Sequence, residues 1–180
     1  MAENSVPSPM ASDTKVLDIT HTLLLQAPPA RVMAAFFNDA DLRSWWQVTK
    51  CFAVARPLGT YAVEWESTDF KDEVLGRLGG AFHGTVIDLR PGASFFLADV
   101  YWQPPDGDPI GPMALEVQCR PHGNGRQTML TVKQSGEGEG PRFERYFSIM
   151  NRGWEGALQE MKNFIDREIE RTKASRESRT

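Results

Sequence analysis

Between Phe143 and Ile169, apolar residues recur at steps of three or four: Phe143, Phe147, Met150, Trp154, Leu158, Met161, Ile165 and Ile169. That period places one continuous stripe along a single long helix, and a stripe of this width must be buried against something. Whatever else the chain forms has to supply the covering surface. Gly153 interrupts the stripe where glycine costs about 1 kcal/mol relative to alanine, and Ala157 follows one turn later. Beside the bulky Trp154 these two make a smooth patch. Either a sheet packs closely onto it, or the helix lines a cavity there. From Asp166 onward charged residues dominate, and the helix is expected to fray by Ser175.

The covering surface is predicted to be a sheet. Leu17, Ile19, His21, Leu23 and Leu25 alternate with mostly polar residues, as a half-buried strand does. Ala27-Pro28-Pro29 ends it, and Pro29 suits the first turn of a helix over Arg31–Phe37, with Val32, Ala35 and Phe36 on one side. Asn38 or Asp39 can cap a second short helix, Ala40–Trp46. Strands are then expected at Phe52–Ala55, around Tyr61, Val63 and Trp65, at Ala81–Leu89, at Ser94–Trp102, around Leu115, Val117 and Cys119, and around Leu130, Val132 and Gln134. Turns at Arg56–Gly59, Arg90–Gly92 and His122–Arg126 and a proline-rich loop, Gln103–Pro112, punctuate them. The run Gly136-Glu137-Gly138-Glu139-Gly140 is expected to separate sheet from helix. Short strands at turn-bounded intervals form an antiparallel meander. An α+β helix-grip architecture follows, with six or seven antiparallel strands wrapped around the C-terminal helix and two short helices after the first strand.

Composition narrows the function. The 180 residues suffice for one domain with a full core, and a net charge of −4 argues against general affinity for nucleic acid or an anionic membrane. No apolar run approaches the roughly eighteen residues of a membrane span. Met1–Lys15 is polar, with Pro7 and Pro9, and lacks the basic and apolar regions of a signal peptide. It reads as a disordered tail (residues 1–15), with Met10 as an alternative start, ahead of a domain over residues 16–174 and a second disordered tail, 175–180. A cytoplasmic location is the expectation. Cys51 and Cys119 are too few for a disulfide framework and read as reduced, inert core thiols.

Several pieces of the chain, in order, resemble one family. They are Leu25-Gln26-Ala27-Pro28-Pro29-Ala30-Arg31-Val32 ending in Trp45-Trp46, Arg56-Pro57-Leu58-Gly59-Thr60-Tyr61, Gly84-Thr85-Val86-Ile87-Asp88-Leu89-Arg90-Pro91, Thr128–Gly136, and Gly153-Trp154 with Leu158. Over about residues 17 to 168 the chain is similar to the activator of ninety-kilodalton heat-shock-protein ATPase homologue family, within the START-like, SRPBCC superfamily. The resemblance implies a birch-allergen-like helix-grip fold with a cavity between sheet and long helix. Superfamily members bind lipids, hormones and polyketides, and a few are cyclases. The family name comes from a larger co-chaperone with an additional N-terminal domain, which this sequence has no room to encode, so a chaperone partner is the weaker expectation. Ser67–Gly80, with Phe70, Val74, Leu75 and Leu78, departs from the family's shorter hairpin and reads as a surface loop or as a lid at the cavity mouth.

Familiar chemistry is not encoded. His21, His83 and His122 lack metal-ligand spacing, no nucleophile elbow or dinucleotide fingerprint occurs, and Glu137 and Glu139 would repel phosphate from the glycine-rich run. No metal, cofactor or catalytic residue is assigned. His21 reads as a satisfied core histidine. What stands out is aromatic: Trp45, Trp46, Trp65, Trp102 and Trp154 could fill the core or line an apolar pocket. The candidate ligand-binding set is Trp46, Trp65, Phe82, Asp99, Trp102, Gln134, Tyr146, Met150, Gly153 and Trp154. Asp99 hangs on strand register. If Phe95 and Leu97 face inward it enters the cavity, and if Phe96, Val100 and Trp102 do, it stays outside. The leading expectation is a binding protein, monomer or homodimer, for a small hydrophobic or aromatic ligand. The alternatives are a cyclase- or hydrolase-type enzyme using Asp99, Tyr146 or His21, and a stand-alone interaction module.

Overall fold

A computed structural model describes residues 14–178. Strand β1 (Lys15–Leu25) is followed by helices α1 (Pro29–Ala34) and α2 (Asp39–Trp45), then by β2 (Lys50–Ala53) and β3 (Thr60–Trp65). Two very short strands, β4 (Lys71–Asp72) and β5 (Gly76–Arg77), precede the long strands β6 (Gly80–Arg90), β7 (Ser94–Gln103), β8 (Ile110–His122) and β9 (Gln127–Gly138). Helix α3 (Gly140–Glu177) ends the described chain. The seven main strands form one antiparallel sheet in the order β1-β9-β8-β7-β6-β3-β2. Phe143, Phe147, Trp154, Leu158, Met161 and Ile165 of α3 bury the predicted stripe. This is the α+β helix-grip fold.

Local signals explain the short elements. Pro29 occupies the first turn of α1, and the Asn38 side chain caps α2 by accepting the Asp41 N–H. Helix α1 ends at Ala34 rather than Phe37, its last turns closing as Phe37 N–H to Ala34 and Asn38 N–H to Ala34 bonds. The expected Phe52–Ala55 strand lies two residues earlier, and Phe52 is exposed at the sheet's edge.

Bulges bend the sheet around α3. The β7–β8 register shifts between Leu97 and Val100, where Asp99 takes a left-handed conformation (φ 49°). An inserted residue of this kind sharpens the bend and reverses which side chains face inward beyond it. Phe95 and Leu97 are therefore buried before the bulge, and Val100 and Trp102 after it. Each reading of the register holds on one side of the bulge only: Asp99 does not follow Phe95 and Leu97 inward but is exposed, and Phe96 is not buried with Val100 and Trp102.

The glycine run does not separate sheet from helix as expected. Strand β9 continues through Gly138, and a Cβ there would lie 2.6 Å from the Phe143 ring. Only glycine lets the start of α3 fold directly back onto the end of its own strand. The far end differs too, since α3 runs on to Glu177 with its last turns fully exposed. The expected N-terminal tail falls almost wholly on residues 1–13, outside the described residues, and β1 already begins at Lys15.

Candidate functional site

Helix α2 ends by delivering Trp45 and Trp46 together, because the chain turns through a left-handed Gln47 (φ 57°) immediately afterwards. The two indoles stack with centroids 5.0 Å apart and planes 6° from parallel. Trp46 then meets Trp65 of β3 at 5.2 Å, Trp154 of α3 at 5.1 Å and Phe82 of β6 at 6.3 Å. Trp102 of β7 lies 5.3 Å from the Tyr146 ring. Pairs of this kind contribute about 0.5–1.5 kcal/mol each beyond their buried area, so the cluster is held rigidly.

These side chains border a cavity of about 720 Å³, open to solvent on one side, between α3, the end of α2 and strands β3, β6 and β7. Its size lies within the usual range for small-molecule sites. All five tryptophans of the chain border it. Four of their indole N–H groups are committed within the protein: Trp45 to the Ala35 carbonyl, Trp65 to that of Trp46, Trp102 to that of Gly79, and Trp154 to Gln134. Trp45 and Trp154 are almost wholly buried and Trp46 and Trp102 nearly so, which leaves the half-buried Trp65 to offer a ligand most of the open ring surface.

Behind the aromatic wall lies a buried polar knot. Gln134 accepts the Trp154 N–H at 2.8 Å and donates to the Tyr146 hydroxyl at 2.9 Å. Indole can only donate, so the amide oxygen must face Trp154 and the amide nitrogen must face Tyr146. Burial pushes the Tyr146 pKa well above its ordinary value, outweighing the opposite pull of the Gln134 bond. The phenol is therefore neutral at physiological pH.

The Ser67–Gly80 segment forms the cavity's outer wall. Leu75 and Leu78 border the opening, and Leu75 is buried. The segment is fastened at two points along its middle. Asp72 accepts the Val74 and Leu75 N–H groups and is gripped by Arg145 of α3 at 2.6 Å, while Arg77 pairs with Asp106 at 2.9 Å. The Arg145 guanidinium, aided by those N–H donors, holds the Asp72 carboxyl down at about 2, and Arg77 does the same for Asp106. The segment is thus a pinned flap rather than a plain surface loop.

Of the expected ligand-binding set, Trp46, Trp65, Phe82, Trp102, Tyr146, Met150, Gly153 and Trp154 all border the cavity. Gln134 stands one layer behind it, and Asp99 is outside on the bulge. A Cβ at Gly153 would meet nothing nearer than the Met150 methyl at 3.5 Å, so no sheet packs onto it and the smooth patch faces the opening. His21 is half-buried and bonds Asn151 of α3 at 3.0 Å, away from the cavity. Residues not anticipated include Gly156, Glu66 and Glu160; nothing in their local sequence marks them, because their position depends on how α3 and the flap meet. Among the described residues, no group of three or more His, Cys, Asp or Glu could hold a metal ion, and no helix is long and apolar enough to cross a membrane. The Cys51 thiol donates to Asp39 and Cys119 is buried. Desolvation is the main cause raising both thiols, to about 11 and about 12. Neither is a reactive thiolate.

A model of the family described as Activator of Hsp90 ATPase homolog 1-like protein matches residues 26–166. No curated protein matches the chain. Among solved structures, the chain is similar to a protein of unknown function, SA2116 from Staphylococcus aureus (14% identity, TM-score 0.65, covering 88% of this chain and 98% of that one). It is similar also to protein MLL2253 from Mesorhizobium loti (18% identity, TM-score 0.63, 84% and 98%). A third is the Aha1 dimer from Colwellia psychrerythraea (16% identity, TM-score 0.54, 83% and 96%). At these identities the likeness extends to the fold.

Proposed function

The chain belongs to the Activator of Hsp90 ATPase homolog 1-like protein family, and from that premise we propose that it binds a small hydrophobic or aromatic ligand in the cavity between sheet and α3. The observation that carries this reading is the convergence of all five tryptophans, with Phe82 and Tyr146, on one opening of about 720 Å³. A core built only for stability closes such a space, because unfilled volume costs packing energy.

The same geometry weighs against acid–base chemistry by the three residues expected to perform it. Of Asp99, Tyr146 and His21, only Tyr146 reaches the cavity, and burial keeps its proton in place. The Gln134 amide behind it neither gains nor loses a proton near neutral pH.

Gly153→Leu is the test. Its side chain would project into the opening from a helical position with room for it. We expect the native protein to bind a hydrophobic fluorescent dye with quenching of its tryptophan emission. The variant should keep its melting temperature and lose the dye. Unchanged dye binding in the folded variant would overturn the proposal.

A further inference from the structure

We infer that the ligand this cavity selects carries a positive charge on an otherwise apolar body, as a quaternary or tertiary ammonium with a hydrocarbon or aromatic tail does. The inference rests on the binding role proposed above and names its ligand class.

The charged groups bordering the cavity are of one sign. Glu66 follows β3 and Glu160 stands on α3, so the two carboxylates come from different walls, and no Lys, Arg or His borders the space. Among the described residues neither carboxylate forms an ion pair; Glu160 only accepts a long bond from Asn163. Of the basic side chains on the surrounding elements, Arg145 pairs with Asp72, Arg77 with Asp106 and Lys50 with Glu64, while Arg152 and Lys71 are exposed and do not border the cavity.

The aromatic lining favours the same sign. Four of the five indole N–H groups are bonded inside the protein, and the half-buried Trp65, with the narrow exposed margins of Trp46 and Trp102, presents π surface and ring edges; an indole face attracts a cation through its quadrupole. A cation that enters gains this attraction together with that of the two carboxylates. A carboxylate-bearing ligand such as a fatty acid meets two like charges and no counter-ion, and leaving a charge unpaired in such a site is costly.

Three ligands of matched shape separate charge from hydrophobicity: (4-phenylbutyl)trimethylammonium, its neutral analogue with tert-butyl in place of trimethylammonium, and the carboxylate of similar length. Binding is read by tryptophan quenching and calorimetry on the full chain. The cation should bind roughly tenfold tighter than the neutral analogue, as indole–cation attraction implies, and the carboxylate should bind weakest. The advantage should shrink in the Glu66→Gln, Glu160→Gln double variant, read as the ratio of cation to neutral-analogue affinity in that same variant. If the neutral analogue binds as tightly as the cation, the charge inference fails while the binding role stands. If none of the three binds, and the hydrophobic dye fails as well, both fall. An advantage that persists undiminished in the double variant removes the carboxylates from the inference and overturns it in this form.

Discussion

Gln134 is fully buried on β9, yet both ends of its amide are satisfied by α3 residues, Trp154 and Tyr146. Gln134→Leu keeps the volume and removes both partners, stranding an indole N–H in the interior. Unsatisfied buried groups cost about 1–3 kcal/mol each, so the variant should lose roughly 2–4 kcal/mol in urea unfolding. A loss below about 0.5 kcal/mol would show that the knot does not tie helix to sheet. Gln134 was readable from sequence because it continues the face of Leu130 and Val132, and alternation holds along an unbroken strand. Asp99 was not readable. A single left-handed residue shifts the phase of β7, and alternation carries no mark of where that happens.

The flap shows what an element needs beyond its own residues. β4 and β5 are two residues each, too short to persist without their anchors at Arg145 and Asp106. The Asp72 carboxyl is held at about 2 in the folded protein, chiefly by Arg145, against about 3.9 when unfolded. A depressed folded pKa gives stabilisation that is complete above the unfolded value and is lost as pH falls through the folded one. The anchor should therefore hold above about pH 4 and fail progressively toward pH 2. Amide exchange at Val74 and Leu75, corrected for intrinsic rate, should lose protection over that window while β8 and β9 keep theirs. Asp72→Asn should show weakened protection at these amides already at neutral pH. Protection that is flat with pH in the native protein would mean that the ion pair does not hold the flap. The long helix was legible in Phe143–Ile169 because its period repeats for seven turns. The flap was ambiguous because its order depends on residues far along the chain.

At the scale of the whole molecule, residues 175–177 form the end of α3, and every side chain there is exposed. A chain ending at Ala174 should therefore melt within about one degree of the full chain and bind the same dye with the same affinity, since exposed helix termini add little to stability. A drop of several degrees in a thermal melt would show that the helix end docks on the body.

Periodicity and turn chemistry are local, and they alone determined the helix-grip class, the inward faces of β1, β3, β8 and β9, the pair of short helices and the aromatic character of the site. The cavity itself belongs to tertiary structure. Trp46, Trp65, Trp102 and Trp154 come from four elements, and each is equally suited by type to fill a core or to border a space. Which of the two occurs depends on how far the bulged sheet bends, where Gly138 lets α3 turn back, and how firmly Asp72 and Arg145 pin the flap. Those are balances among contacts distant in the chain, and a residue's type records what it can contact, not what the fold brings to it.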